Sequence, residues 1–196
     1  MKLDELMNSF APHPILSGGI IQTIFGSQFP GKPIFFQNKI TYAIDLDENA
    51  KSILYEIAAK DKNKPVVLLA HGMGGCSESG YIKRIAVKLW SQGYGVFMIN
   101  HRGSGAGMGL SSSLWNGGSS EDLSKMVKFI LQRHARLVLI GFSLSGNILL
   151  KYLGEGRSVP SGVIGALAVN PPIDLRVASH ILSTSLSNFV TLCSNS

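Results

Sequence analysis

The sequence predicts an α/β domain built on a mostly parallel sheet with helices on both faces. Three observations carry this. From Pro65 onward, short aliphatic runs alternate with stretches of helical apolar periodicity, the pattern of a βαβ succession. The strand runs are apolar at consecutive positions rather than at alternate ones, as suits strands covered on both sides. At Leu137-Val138-Leu139-Ile140-Gly141, such a run feeds into the helical spacing of Ile148, Leu149, Tyr152 and Leu153 with only a tight turn between them.

At 196 residues and 45% hydrophobic content, the chain is long enough for one domain with a sizeable core. Residues 1–34 hold four of the eight prolines and read as an irregular lead-in, leaving 35–196 as the α/β domain. Residues 35–44 and 52–58 alternate apolar and polar side chains around a turn-prone segment at 45–49, predicting an antiparallel pair at a sheet edge. Parallel strands follow at 66–70, 96–100, 137–140 and 163–169, with helices near 81–92, 120–134 and 146–154. The first helix sets Ile82, Ile85, Ala86 and Leu89 against Lys83, Arg84 and Lys88 on its other face. The second opens on Ser119 or Ser120 with Glu121 and Asp122 in its first turn, where the helix dipole favours negative charge.

The net charge of +6 does not point to nucleic acid. Its basic residues are spread along helix faces without aromatic interleaving or a binding motif. Cys76 and Cys193 lack metal-ligand spacing, so neither a disulfide nor a metal site is expected. The N-terminus lacks the basic-then-apolar order of a secretion signal, and the early apolar stretch at 15–25 is too short and interrupted to span a bilayer. A cytoplasmic protein with no integral membrane segment and no cofactor is expected.

Chemistry gathers at the C-terminal ends of such strands. The turn Gly141-Phe142-Ser143-Leu144-Ser145-Gly146 has the form of a nucleophile elbow, which holds a serine in strained backbone at the head of a helix. Ser145 stands where a second glycine is usual, a small residue that fits the same space. The Gly141 to Gly146 spacing also matches a phosphate loop, but Asn147 and Ile148 stand where that loop needs lysine and a hydroxyl. The glycines of His71-Gly72-Met73-Gly74-Gly75 can turn backbone N–H groups into the cleft, so Met73 and Leu144 are the expected oxyanion donors for Ser143. His71 precedes the serine and reads as a support of its loop. In Asn100-His101-Arg102-Gly103-Ser104-Gly105, every dinucleotide-binding register fails at its third glycine, and Arg102 is expected to shape the loop.

These motifs, with His13-Pro14, Gln22-Thr23 and Asn170-Pro171-Pro172-Ile173-Asp174-Leu175, resemble the AB hydrolase 4 family of the α/β-hydrolase superfamily from about residue 12 to about 174. The resemblance implies a serine hydrolase of carboxylic esters, short-chain esters or acylglycerols, without metal or organic cofactor. It also implies an acid and a histidine in loops that follow the serine, at the ends of two further strands. The sequence past Ser143 has room for one strand and one helix, predicting an incomplete domain that stops near residue 189, with 163–169 as an apolar sheet edge and little activity. Asp174 and His180 follow the serine in the required order. Six residues apart on a helix they point to different sides, and Asp174 reads instead as a helix N-terminal residue. A non-catalytic remnant or binding module is the competing expectation.

Overall fold

The computed structural model of the protein describes Phe36 and residues 38–194, with side chains through residue 184. The expected lead-in at 1–34 lies outside the described residues. The described strands are β1 (Lys39–Asp47), β2 (Ala50–Ile57), β3 (Val66–Ala70), β4 (Gly95–Asn100), β5 (Leu137–Phe142) and β6 (Val163–Val169). The helices are α1 (Gly80–Ser91), α2 (Ser120–Leu131), α3 (Leu144–Gly154) and α4 (Leu175–Ser194), with a 3-10 turn at Gly105–Gly107.

The strands form one sheet in the order β1-β2-β4-β3-β5-β6. β1 and β2 pair antiparallel, as do β2 and β4, and β4, β3, β5 and β6 run parallel. All four parallel strands therefore end at the same rim. The alternation of side chains along each strand divides the core in two. Leu68, Phe97 and Leu139 pack with Met126 and Ile130 of α2 and Leu149 and Tyr152 of α3. Their sequence neighbours Leu69 and Met98 pack on the other side with Ile82 and Ala86 of α1. Each large apolar side chain fully withdrawn from water contributes about 1.5–3 kcal/mol. Both faces are thus held by the run of apolar residues that identified the strands.

Two local readings differ from the expectation. β1 continues through Asp47, and the reversal is confined to Glu48 and Asn49 rather than 45–49. Leu46 is almost wholly buried in the core and Asp45 pairs across the strands with Lys51 at 2.8 Å, so packing and a cross-strand ion pair extend a segment whose composition favours a turn. Ser119 does stand at the head of α2, but its hydroxyl accepts the Asn116 N–H at 3.0 Å instead of capping the helix.

β6 has one neighbour and is the edge of the described sheet. Ile164 and Leu167 on it are 51% and 53% exposed, an apolar edge without a charged guard.

Candidate active site

The site is assembled where β3, β4, β5 and β6 end. At the end of β5, Ser143 holds φ 51° and ψ −122°, a backbone region that side chains rarely occupy and that stores strain. Its N–H donates to Val169 O of β6 at 2.9 Å, and its carbonyl accepts the N–H groups of Gly146 at 2.8 Å and Asn147 at 3.2 Å. The strained residue is therefore gripped by both the strand beside it and the helix after it. The strand meets the helix closely because Gly141 has no Cβ: one built there would lie 2.5 Å from Ser145 O. Ser143 is left solvent-exposed at the head of α3.

The loop after β3 lies against it. A Cβ on Gly72 would lie 3.1 Å from Ser143 Cβ, so a glycine there lets the backbone reach the serine. Gly72 O accepts the Gly75 N–H at 3.1 Å, closing a turn whose third residue, Gly74, holds φ 72°. Met73 is the second residue of that turn. Met73, Ser143 and Leu144 line one open groove of about 540 Å³. Its remaining wall is Asn170-Pro171-Pro172 after β6 and the α4 face carrying Leu175, Ala178 and Leu182. Asn147 Nδ2 donates to Pro172 O at 3.0 Å and ties the two walls together. The sequence pointed to Met73, Ser143 and Leu144 at one cleft but contained no signal for the facing wall, which comes from a segment about a hundred residues after Met73.

Behind the elbow lies a buried polar cluster. His71 Nδ1 faces Gly72 O at 2.8 Å, and a carbonyl can only accept, so that nitrogen carries the proton. His71 Nε2 is then free to accept the His101 N–H at 3.4 Å. The Ser145 hydroxyl donates to His71 O. Its oxygen accepts from His101 Nε2 at 2.7 Å, which fixes that ring's tautomer in turn. Trp115 stacks on His101 at 4.1 Å between ring centroids and meets His71 edge-on at 5.6 Å. Burial lowers the pKa of both rings, and for His101 the neighbouring His71 lowers it further, so both are held neutral.

The other candidates are placed elsewhere. Arg102 donates through Nε and Nη2 to the two oxygens of Asp122, at 2.5 and 2.7 Å, and through Nη1 to Asp47 at 2.6 Å, which raises its pKa and pins the loop after β4 to α2 and β1. The Cys76 N–H donates to Ser79 Oγ at 3.0 Å, away from the residues lining the groove. Asp174 Oδ1 accepts the N–H groups of Arg176 at 2.9 Å and Val177 at 3.0 Å, the geometry of a helix cap. His180 is exposed on α4 and the structure does not join it to Asp174. His134 pairs with Glu56 at 3.3 Å and meets the ring of Phe97 in the core. Among the described residues, no three metal-ligating side chains gather. No described helix is long and apolar enough to cross a membrane.

The sequence matches the alpha/beta hydrolase fold family over residues 65–191. It is 32% identical over 120 residues to Abhydrolase domain-containing protein 2 of Drosophila melanogaster, covering 59% of this chain and 30% of that protein. It is 27% identical over 128 residues to the monoacylglycerol lipase of Saccharomyces cerevisiae, covering 64% and 28%. With Embryogenesis-associated protein EMB8 of Picea glauca it shares 24% identity over 191 residues, 91% of this chain and 41% of the relative. The chain thus spans well under half the length of these relatives. Among solved structures it is similar to an esterase of Pyrococcus furiosus, with TM-score 0.59, 22% identity and coverage of 70% and 52%. It is also similar to an α/β hydrolase of Penicillium, with TM-score 0.60, 16% identity and coverage of 81% and 56%. At such identities the structural likeness bears on the fold alone.

Proposed function

The chain belongs to the alpha/beta hydrolase fold family, and on that premise we propose that it is built for hydrolysis of carboxylic esters, with Ser143 as the nucleophile. The observation that carries this reading is the strained, exposed Ser143 at the head of α3 in the same groove as Met73 and Leu144. Ser143 Oγ attacks the ester carbonyl carbon, and the negative charge that develops on the carbonyl oxygen is met by the N–H groups of Met73 and Leu144. Leu144 is the first residue of its helix, so its N–H has no partner within the helix and lies at the positive end of the dipole. The tetrahedral intermediate expels the alcohol, and water then releases the acid from Ser143. The apolar wall of Leu175, Ala178 and Leu182 suits an acyl chain, and a relative named monoacylglycerol lipase supports carboxylic esters of the acylglycerol kind as the substrate class. Cys76 is a free thiol, which supports a reducing, cytoplasmic setting.

The base that takes the Ser143 proton is not supplied by the described histidines. His71 and His101 are committed to the cluster behind the elbow, His134 pairs with Glu56, and His180 stands exposed with no tie to an acid. We therefore propose that the 196-residue chain by itself turns esters over slowly, since losing a triad member costs several orders of magnitude. The same observation favours a second reading, a non-catalytic hydrolase-like module. Intact-mass labelling by a fluorophosphonate probe, beside Ser143→Ala, separates the two. Adduct formation that disappears in the variant upholds the nucleophile; equal behaviour of both chains leaves the module reading.

A further inference from the structure

The departure of this chain from the usual elbow is Ser145, and its side chain is among the most enclosed polar groups in the protein, at 1% exposure. A glycine would fill the turn equally well in steric terms. The hydroxyl instead spans three strand ends: it belongs to the elbow after β5, donates to the carbonyl of His71 after β3, and accepts from His101 after β4.

The consequence for the groove follows from peptide geometry. In a planar trans peptide the carbonyl and the next N–H point in opposite directions, so fixing one aims the other. The His71–Gly72 peptide is held at both ends, its carbonyl by Ser145 Oγ and its N–H by the Tyr81 hydroxyl at 2.8 Å. The next peptide, Gly72–Met73, has its carbonyl held by His71 Nδ1 at 2.8 Å and by the Gly75 N–H at 3.1 Å. Its other end is the Met73 N–H. The Tyr81 hydroxyl and the Gly75 N–H restrain these two peptides from outside, and His71 restrains both from within, through its carbonyl and Nδ1; His71 is itself anchored at its carbonyl by Ser145 and at Nε2 by the backbone of His101.

We propose that Ser145 is a positioning residue for the oxyanion donor: its hydroxyl joins His71 to His101 and so fixes the direction of the Met73 N–H relative to Ser143. The inference rests on the ester-hydrolase reading for the use made of that N–H, but the restraint itself is a property of the fold. It also gives the two buried histidines a purpose other than proton transfer. His71 directs a peptide plane, and His101 holds the hydroxyl that steadies His71.

The test compares the 196-residue chain with Ser145→Ala, Ser145→Thr and, in case the alanine variant does not fold, Ser145→Gly. Two readouts are used, the Met73 amide resonance and the rate constant of fluorophosphonate labelling at Ser143. In Ser145→Ala the Met73 amide resonance is expected to shift, with the ring nitrogens of His71 and His101 shifting too and the amides of α2 unmoved. Labelling is expected to slow by about 10- to 100-fold at unchanged half-saturating probe concentration, the scale of a displaced rather than deleted donor. Ser145→Thr, which keeps the hydroxyl, restores both readouts. An unmoved Met73 amide in the alanine or glycine variant overturns the proposal, as does a threonine variant that behaves like alanine. If the unsubstituted chain takes no label, Ser143 is not activated within these 196 residues, and the amide readout alone decides the positioning role.

Discussion

Arg102 and Asp122 face one another as a two-pronged ion pair, both carboxylate oxygens engaged and both side chains largely withdrawn from water. The pair locks the glycine-rich loop after β4 onto the first turn of α2, while the remaining arm of the guanidinium reaches Asp47 at the end of β1. Removing one partner strands a charge in a poorly solvated place. Arg102→Ala is expected to cost about 2–4 kcal/mol, read as a lower urea midpoint. Arg102→Lys should recover little of it, because an ammonium cannot make the two parallel bonds.

The buried histidines set an acid limit on the fold. Their folded pKa values are lowered from the ordinary value of about 6.5, and the partners of both rings are neutral groups. The unfolded chain therefore binds more protons than the folded one below that value. Stability is full above about pH 6.5 and is lost as the pH falls from there toward the depressed folded values. Urea midpoints measured at pH 7.5, 6.5 and 5.5 should fall over the last interval. Trp115 emission, which a protonated His101 stacked upon it would quench, should hold steady well below pH 6.5 in the folded protein.

Ser143 trades stability for exposure of its hydroxyl. Its positive φ costs an L-residue about 1–3 kcal/mol that a glycine does not incur. Ser143→Gly should raise stability by about 1 kcal/mol after the extra chain entropy of glycine is subtracted, a melting temperature higher by about 2–4 °C. The same variant should take no fluorophosphonate. A glycine variant that melts lower would mean that hydrogen bonding or packing of the Ser143 side chain outweighs the strain.

Gly141 and Gly72 should respond differently to a single methyl group. At Gly141 the new Cβ meets backbone of α3 at 2.5 Å, and strand and helix must separate. Gly141→Ala is expected to lose about 1–3 kcal/mol. At Gly72 the contact is Ser143 Cβ at 3.1 Å, which a few tenths of an ångström relieve. Gly72→Ala should leave the urea midpoint nearly unchanged and slow labelling at Ser143.

The open side of β6 should govern association. Ile164 and Leu167 expose apolar surface on a strand that has a neighbour on one side only among the described residues. Ile164→Lys with Leu167→Lys should shift the 196-residue chain toward monomer in sedimentation velocity, since charged side chains oppose edge-to-edge pairing. An unchanged sedimentation profile would put the associating surface elsewhere.

Much of this architecture was legible from residue order. The consecutive apolar residues of Val66 to Ala70 and Val96 to Asn100 could be satisfied only by cover on two faces, and α1 on one side with α2 and α3 on the other provide it. Asp174 was readable as a cap because its role is local, settled within three residues. What depended on distant partners was not readable. The Asp45 to Asp47 segment has turn composition, yet Lys51 and the core claim it for a strand. Ser145 looked like a tolerated substitute for glycine because its two partners, His71 O and His101 Nε2, lie 74 and 44 positions earlier. Trp115 gave no signal at all, since only folding brings it over His101.

The groove beside Ser143 has an uneven ancestry along the chain. Ser143, Met73 and Leu144 sit at the ends of strands interior to the sheet, where β3 and β5 lie side by side, whereas the opposing wall is one uninterrupted run from Asn170 through α4 to Ser183. That run is attached at the sheet's rim and contributes little to the core. It can be exchanged as a single cassette, which would reshape the apolar side of the groove and leave the strand ends that carry Ser143 and Met73 in place.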